Sequence, residues 1–193
     1  MTIMIIPLVA AIVVAVATGG RLRNVSARPI RAAAALGAGV VLQAAAHLVT
    51  VSDTIGFICI VASYVLLVGF ALANIRLVGM PVVLVGLLLN LTVIALDSGM
   101  PVRADAIATV ERDRTPEAIA QIRFDAKRHL ERPTDRLTVL GDVLPVRPVH
   151  EVVSFGDLIL ALGLADVVFR LLRPLAAPRR RERVPAAQAL AVG

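Results

Sequence analysis

Tryptophan is missing from this chain of 193 residues, and tyrosine and cysteine occur once each. The single cysteine, Cys59, excludes an intrachain disulfide, and with no pair to read it says nothing of redox compartment. With so few aromatics, the belts that mark the interfaces of many membrane proteins are nearly gone. Charge is scarce too: 18% of residues are charged against 58% hydrophobic, and the mean hydropathy is +0.85. A soluble domain of this length needs more polar surface than that leaves. Catalytic signatures are also wanting. VVSFG has Val152 where the first glycine of G-x-S-x-G belongs, and GAGVVL has Leu42 where a dinucleotide loop needs its third glycine. There is no H-E-x-x-H, no cysteine pair and no Walker loop. His129 with Asp125, or His150 beside Glu151, could contact a metal, but histidines on separate loop elements are usually ordinary surface residues. No metal site and no cofactor is expected.

What the chain has in quantity is long apolar runs. Five of them, at about 1–18, 30–50, 55–75, 77–97 and 154–172, approach the length that crosses a hydrocarbon core about 30 Å thick. The expected fold is an all-α integral membrane protein with five transmembrane helices and a mostly helical extracytoplasmic segment between the fourth and fifth. Residues 1–97 would hold the first four helices, 98–151 the outer segment, 152–173 the fifth helix and 174–193 a disordered cytoplasmic tail.

The net charge of +6 could suggest nucleic acid, but the arginines flank apolar runs instead of forming a stripe, so no nucleic-acid partner is expected. Arg21, Arg23, Arg28 and Arg31 follow the first run, Arg76 the third, and Arg170, Arg173, Arg179, Arg180, Arg181 and Arg183 the fifth. The link between the second and third runs holds only Asp53. Cationic connections thus alternate and fall on one face. By the positive-inside rule that face is cytoplasmic, with the N-terminus outside, the C-terminus inside, and the inner (plasma) membrane as the location. Ala15-x-Ala17 resembles a signal-peptidase site, yet no basic residue precedes the run, which favours an uncleaved anchor.

Within the outer segment nine basic residues balance nine acids. TPEAIAQIRFDAKRHLERP predicts an amphipathic helix over about 116–132, with Thr115 as N-cap, Pro116 at the first helical position, Pro133 as the stop, and Ile119, Ile122, Ala126 and Leu130 on one face. RADAIATVE predicts a shorter helix, and TDRLTVLGDVLPVRPV an extended or interfacial stretch against the bundle.

Polar residues inside apolar runs need partners, which makes them the best pointers to a site. Gly39, Gln43 and His47 recur every four residues on one face of the second run; the third carries Ser63, Tyr64 and Asn74, and the fourth Asn90, Thr92 and Asp97. On the derived topology Gln43, His47, Asn90, Asp97 and Asp157 occupy the outer half, where they could line a pocket under the outer segment. The alternative, which we favour, is hydrogen bonding between helices. At the end of the fourth run, Gly99 is the expected C′ residue and Arg103 the expected ion-pair partner of Asp97. Ser154-x-x-Asp157 predicts a capping box that starts the fifth helix near Phe155, where the helix dipole favours an anion. Asp166 lies four residues before Arg170, the favourable order for a helical ion pair.

Several of these residues occur in an ordered set: Gly19-Gly20-Arg21-Leu22, Gln43, Asn74, Asn90, Asp97-Ser98-Gly99-Met100-Pro101-Val102, Leu140-Gly141-Asp142-Val143-Leu144-Pro145, Ser154-Phe155-Gly156-Asp157 and Gly163. In order and spacing, over roughly residues 1–172, they resemble a bacterial family of five-span membrane proteins, the domain of unknown function 5317. The family usually has Asn-Gly-Gly and a basic residue before Met-Pro-Val, whereas this chain is one residue shorter and has Asp97 in the asparagine position. The resemblance implies architecture and no activity. Two functions are therefore expected to compete. The first is a non-enzymatic accessory or complex subunit in the lipid bilayer, whose outer segment contacts lipid, a membrane-protein partner or a second copy. The second is an enzyme or carrier using His47, Asp97 and Asp157, with His47 as acid/base.

Overall fold

Each of the five apolar runs becomes a helix in the computed structural model: α1 (Thr2–Ala17), α2 (Ala33–Leu48), α3 (Asp53–Ala73), α4 (Met80–Leu96) and α7 (Phe155–Leu172). Two short helices, α5 (Ala104–Val110) and α6 (Pro116–Ala120), lie between α4 and α7. The structure describes residues 2–26, 28–48, 53–111, 115–120, 122, 124 and 127–174, except the side chains of residues 2, 47, 48, 53, 116 and 120. The tail expected from residue 174 lies outside them apart from its first residue. Among the described residues α3, with 21 residues, is the one helix long and apolar enough by itself to cross a membrane. Helices α1, α2 and α4 are apolar but shorter, at 16, 16 and 17 residues, and α7 carries Asp157, Asp166 and Arg170.

Neighbouring helices pack in the order α2–α3–α4–α7–α1. Glycines set the closest approaches. A Cβ at Gly39 would meet Leu67 at 2.9 Å, one at Gly86 would meet the Leu160 nitrogen at 2.7 Å, and one at Gly163 the Val83 nitrogen at 2.6 Å. These contacts make α2 antiparallel to α3 and α4 antiparallel to α7. Helix α1 runs parallel to α7: the Ile3 amide donates to Glu151 just before α7, and the Arg21 amide donates to the Leu172 carbonyl at its far end.

At that far end the connections lock together. Gly19 takes a left-handed φ of 89° past α1, so that the Gly20 amide reaches back to the Ala15 carbonyl at 2.8 Å, a Schellman closure. Asn24 donates to the Leu172 carbonyl at 2.7 Å. Asn74 grips the backbone of residue 31 from both sides, accepting from its N–H at 2.9 Å and donating to its carbonyl at 2.8 Å. Arg21, Arg23, Arg31, Arg76, Arg170 and Arg173 are thereby gathered at one end of the row.

The opposite end carries a cap built from residues 98–153. Strands β1 (Met100–Val102) and β2 (Arg128–Leu130) pair in parallel, and β3 (Leu144–Val146) and β4 (Glu151–Val153) pair antiparallel. Val102, Ala106, Ile107, Val110, Ile119 and Val152 form a core of its own, while Met100 is buried in the core of the helix row. The expected helix over 116–132, and with it the mostly helical outer segment, is corrected here. Helix α6 ends at Ala120, and residues 128–130 are a strand. Ile119, Ile122 and Leu130 do reach one apolar cluster, but β2 gets there by pairing with β1. That pairing joins residues nearly thirty positions apart, and helical periodicity cannot register it.

Candidate functional site

Helix α7 begins well inside the row, because Gly156 lies flush against Asn90 and leaves no room there for a side chain. Its first turn is a complete capping box. The Asp157 amide donates to Ser154 Oγ at 3.0 Å, and the Ser154 amide approaches Asp157 Oδ2 at 3.5 Å. Asn90 of α4 closes a chain across to α7. Its Nδ2 donates to Asp157 Oδ1 at 2.7 Å, and its Oδ1 accepts from Ser154 Oγ at 3.1 Å. Because a carboxylate only accepts, this network fixes which way the Asn90 amide points. Asn90 and Ser154 are fully buried and Asp157 is 5% exposed.

A cation from the cap faces this chain. Lys127, just before β2, places its Nζ 5.6 Å from the centre of the Tyr64 ring on α3 and hydrogen-bonds the Tyr64 side chain. Burial works to lower the pKa of the ammonium, and Arg128 does so slightly, but Tyr64 and the Asp157 carboxylate outweigh both. The lysine is held above its ordinary range and stays protonated. Three helices and the cap thus meet at one neutralised cluster.

The other expected residues lie elsewhere. Asp97 caps α4 and accepts from the backbone amides of Arg136 at 2.7 Å and Leu137 at 3.0 Å. Its carboxylate therefore ties down a cap loop, and the expected partner Arg103 pairs with Glu131 at 3.5 Å instead. The left-handed residue after α4 is Ser98, φ 55°, with the Gly99 amide closing on the Ile94 carbonyl at 3.0 Å, so Gly99 stands one place later than expected. Gln43 is half-buried on α2, which packs on α3, and is not part of the Asn90–Asp157 cluster. His47 is on α2, with its side chain outside the described residues. Of the five candidates, the structure brings together Asn90 and Asp157.

Further pairs build the cap. Arg128 Nε lies 2.9 Å from Asp142 Oδ2, while the Asp142 backbone bonds Pro101 and Arg103 and so fastens the L-G-D stretch along M-P-V. His129 Nε2 sits 3.1 Å from Asp135, and Asp125 lies outside the described residues. In the first turn of α6, backbone and Thr115 hydrogen bonds hold the exposed Glu117 carboxyl below its usual range. A concavity of about 510 Å³ lies on the cap, lined by Arg103, Asp105, Leu130, Glu131, Arg132 and Pro133.

Sequence reading missed Lys127, and it named Tyr64 among the polar residues of the third run without placing it in the candidate pocket. The available signal was their rarity: each is the only residue of its type in the chain. No curated protein and no solved structure shows significant similarity to the chain. Its residues 3–169 match the profile of a family described as a family of unknown function, DUF5317. That match covers most of the chain, including every motif in the ordered set from Gly19 to Gly163, and the chain belongs to the DUF5317 family.

Proposed function

We propose that the chain is a five-span protein of the inner (plasma) membrane, with its N-terminus outside and its arginine end in the cytoplasm. We further propose that it serves as a non-enzymatic subunit of a larger membrane assembly through its outer cap. The observation that carries the membrane reading is the outward face of the helix row. Ile5, Val13, Val41, Ile58, Val65 and Leu162 are each at least half exposed along the helices, far more apolar surface than a soluble monomer tolerates. Lipid takes that surface up. Helices of 16 to 18 residues reach only about 24–27 Å at 1.5 Å per residue, and short flanking segments complete the crossing. The gathering of arginines at one end suits the positive-inside rule.

The subunit reading draws on the cluster and on the helix order. Asn90, Asp157, Ser154 and Asp97 are engaged in holding helices and cap together. Helices α1 and α2 stand at the two ends of the packing order and offer faces for further helices. The competing enzyme or carrier pairs His47 with Asp97 or Asp157, and Asp97 is engaged by the 136–137 backbone and Asp157 by Asn90. In mild detergent the protein is expected in a complex larger than one copy, with photo-cross-links to one partner from a benzoylphenylalanine placed at position 104 or 133 on the cap concavity. A monodisperse monomer that yields no cross-linked product contradicts this reading.

A further inference from the structure

The chain's only lysine and only tyrosine meet, with the Lys127 Nζ 5.6 Å from the centre of the Tyr64 ring, and the ammonium lies in the field of Asp157 in the first turn of α7. Nineteen of its twenty basic residues are arginine. Those near the cluster have partners of their own: Arg128 turns to Asp142 and Arg103 to Glu131. Asp157, 5% exposed, would without Lys127 be a buried negative charge supported only by the Asn90 side-chain amide and the more distant Ser154 backbone amide, an arrangement that costs several kcal/mol. The lysine approaches this cluster from a segment otherwise fastened by its backbone, for the Lys127 carbonyl accepts from the Met100 amide at 2.6 Å. Met100 itself is fully buried in the core of the helix row. One side chain therefore joins the cap to α3 beside the Asn90–Asp157 link between α4 and α7.

We propose that Lys127 is a latch. Its ammonium, set against the Tyr64 ring of α3 and in the field of the Asp157 carboxylate of α7, holds this segment of the cap closed on the end of the helix row, and withdrawal of that ammonium releases the segment. The latch favours two states because an intermediate position leaves the ammonium desolvated and away from Tyr64 and the Asp157 charge. A compact, flexible ammonium suits insertion into a narrow interior site better than the planar guanidinium used elsewhere in the chain. The latch goes beyond the subunit reading and does not depend on which side of the membrane the cap faces.

The chemistry supplies its own probe, since Lys127 is the only side-chain amine. Full-length protein in mild detergent is treated with a water-soluble amine-reactive ester, and modification of Lys127 is followed by mass spectrometry. Closed latches protect the amine by about tenfold or more relative to protein denatured in dodecyl sulfate. Equal rates overturn the proposal. Asp157→Asn and, with smaller effect, Tyr64→Phe are expected to speed both modification of Lys127 and amide exchange at Met100, Arg136 and Leu137. Should Asp157→Asn fail to fold, Tyr64→Phe keeps both charges and carries the test alone; unchanged rates in it contradict the latch. Because the assay uses isolated protein in detergent, its failure leaves orientation and partner binding to their own tests.

Discussion

Asn74 does in one side chain what a short strand pairing would do, satisfying the N–H and the carbonyl of residue 31 while also donating to the Phe70 carbonyl at 2.9 Å. Asn74→Ala removes both partners of the part-buried residue 31 backbone and is expected to cost about 1–3 kcal/mol, read as a lower melting temperature in detergent. Lys127 makes a prediction in pH. Its pKa is raised in the folded protein, so its stabilisation is complete below the ordinary lysine value of about 10.4 and is lost as pH rises through the folded value. Tyr64 and Asp157 face the ammonium and Arg128 opposes it. Melting temperature should not vary with pH on account of this group through the neutral range and should fall in alkali, a fall that Lys127→Met removes. At this scale the sequence is informative wherever partners are close in the chain. Ser154 with Asp157, and Asp166 with Arg170 at 2.8 Å, are spacings of three and four. The partners of Asp97, Lys127 and Asn74 lie tens of residues away, and nothing local encodes them.

Helix against helix, glycine decides the spacing. A Cβ at Gly86 would fall 2.7–2.9 Å from backbone atoms of Gly156 and Leu160, which have no rotamer to yield. Gly86→Ala should push α4 and α7 apart and cost about 1–3 kcal/mol. At Gly69, inside α3, a Cβ meets nothing within 4 Å, so Gly69→Ala should be neutral or stabilise by up to about 1 kcal/mol. Paired thermal melts of the two variants check the assignment, and equal losses contradict it. Helix positions are legible in the sequence because apolar run length is a local property, and all five runs became helices. The cap is less so. Its strands are three residues long, too short for alternation to show, and β1 and β2 are defined only by each other.

On the scale of the whole molecule, three features support the proposed membrane reading: a row of helices apolar on its outside, arginines gathered at one end, and a separate small core at the other. Alternation of charged connections was legible along the chain, and the up-and-down packing of the helices carries the same parity. The two are independent, one from charge and one from contacts such as Gly39 against Ser63 and Gly79 against Val167. Orientation is the central claim, because the cap's partners and the exposure of its concavity both depend on it. Single cysteines placed at Arg23, Asp53 and Glu117 in a Cys59→Ala background, treated in intact cells with an impermeant thiol reagent, test it most directly. The account predicts labelling at positions 53 and 117 and none at 23 until the membrane is permeabilised; labelling at 23 in intact cells, or its absence at 117, would contradict it.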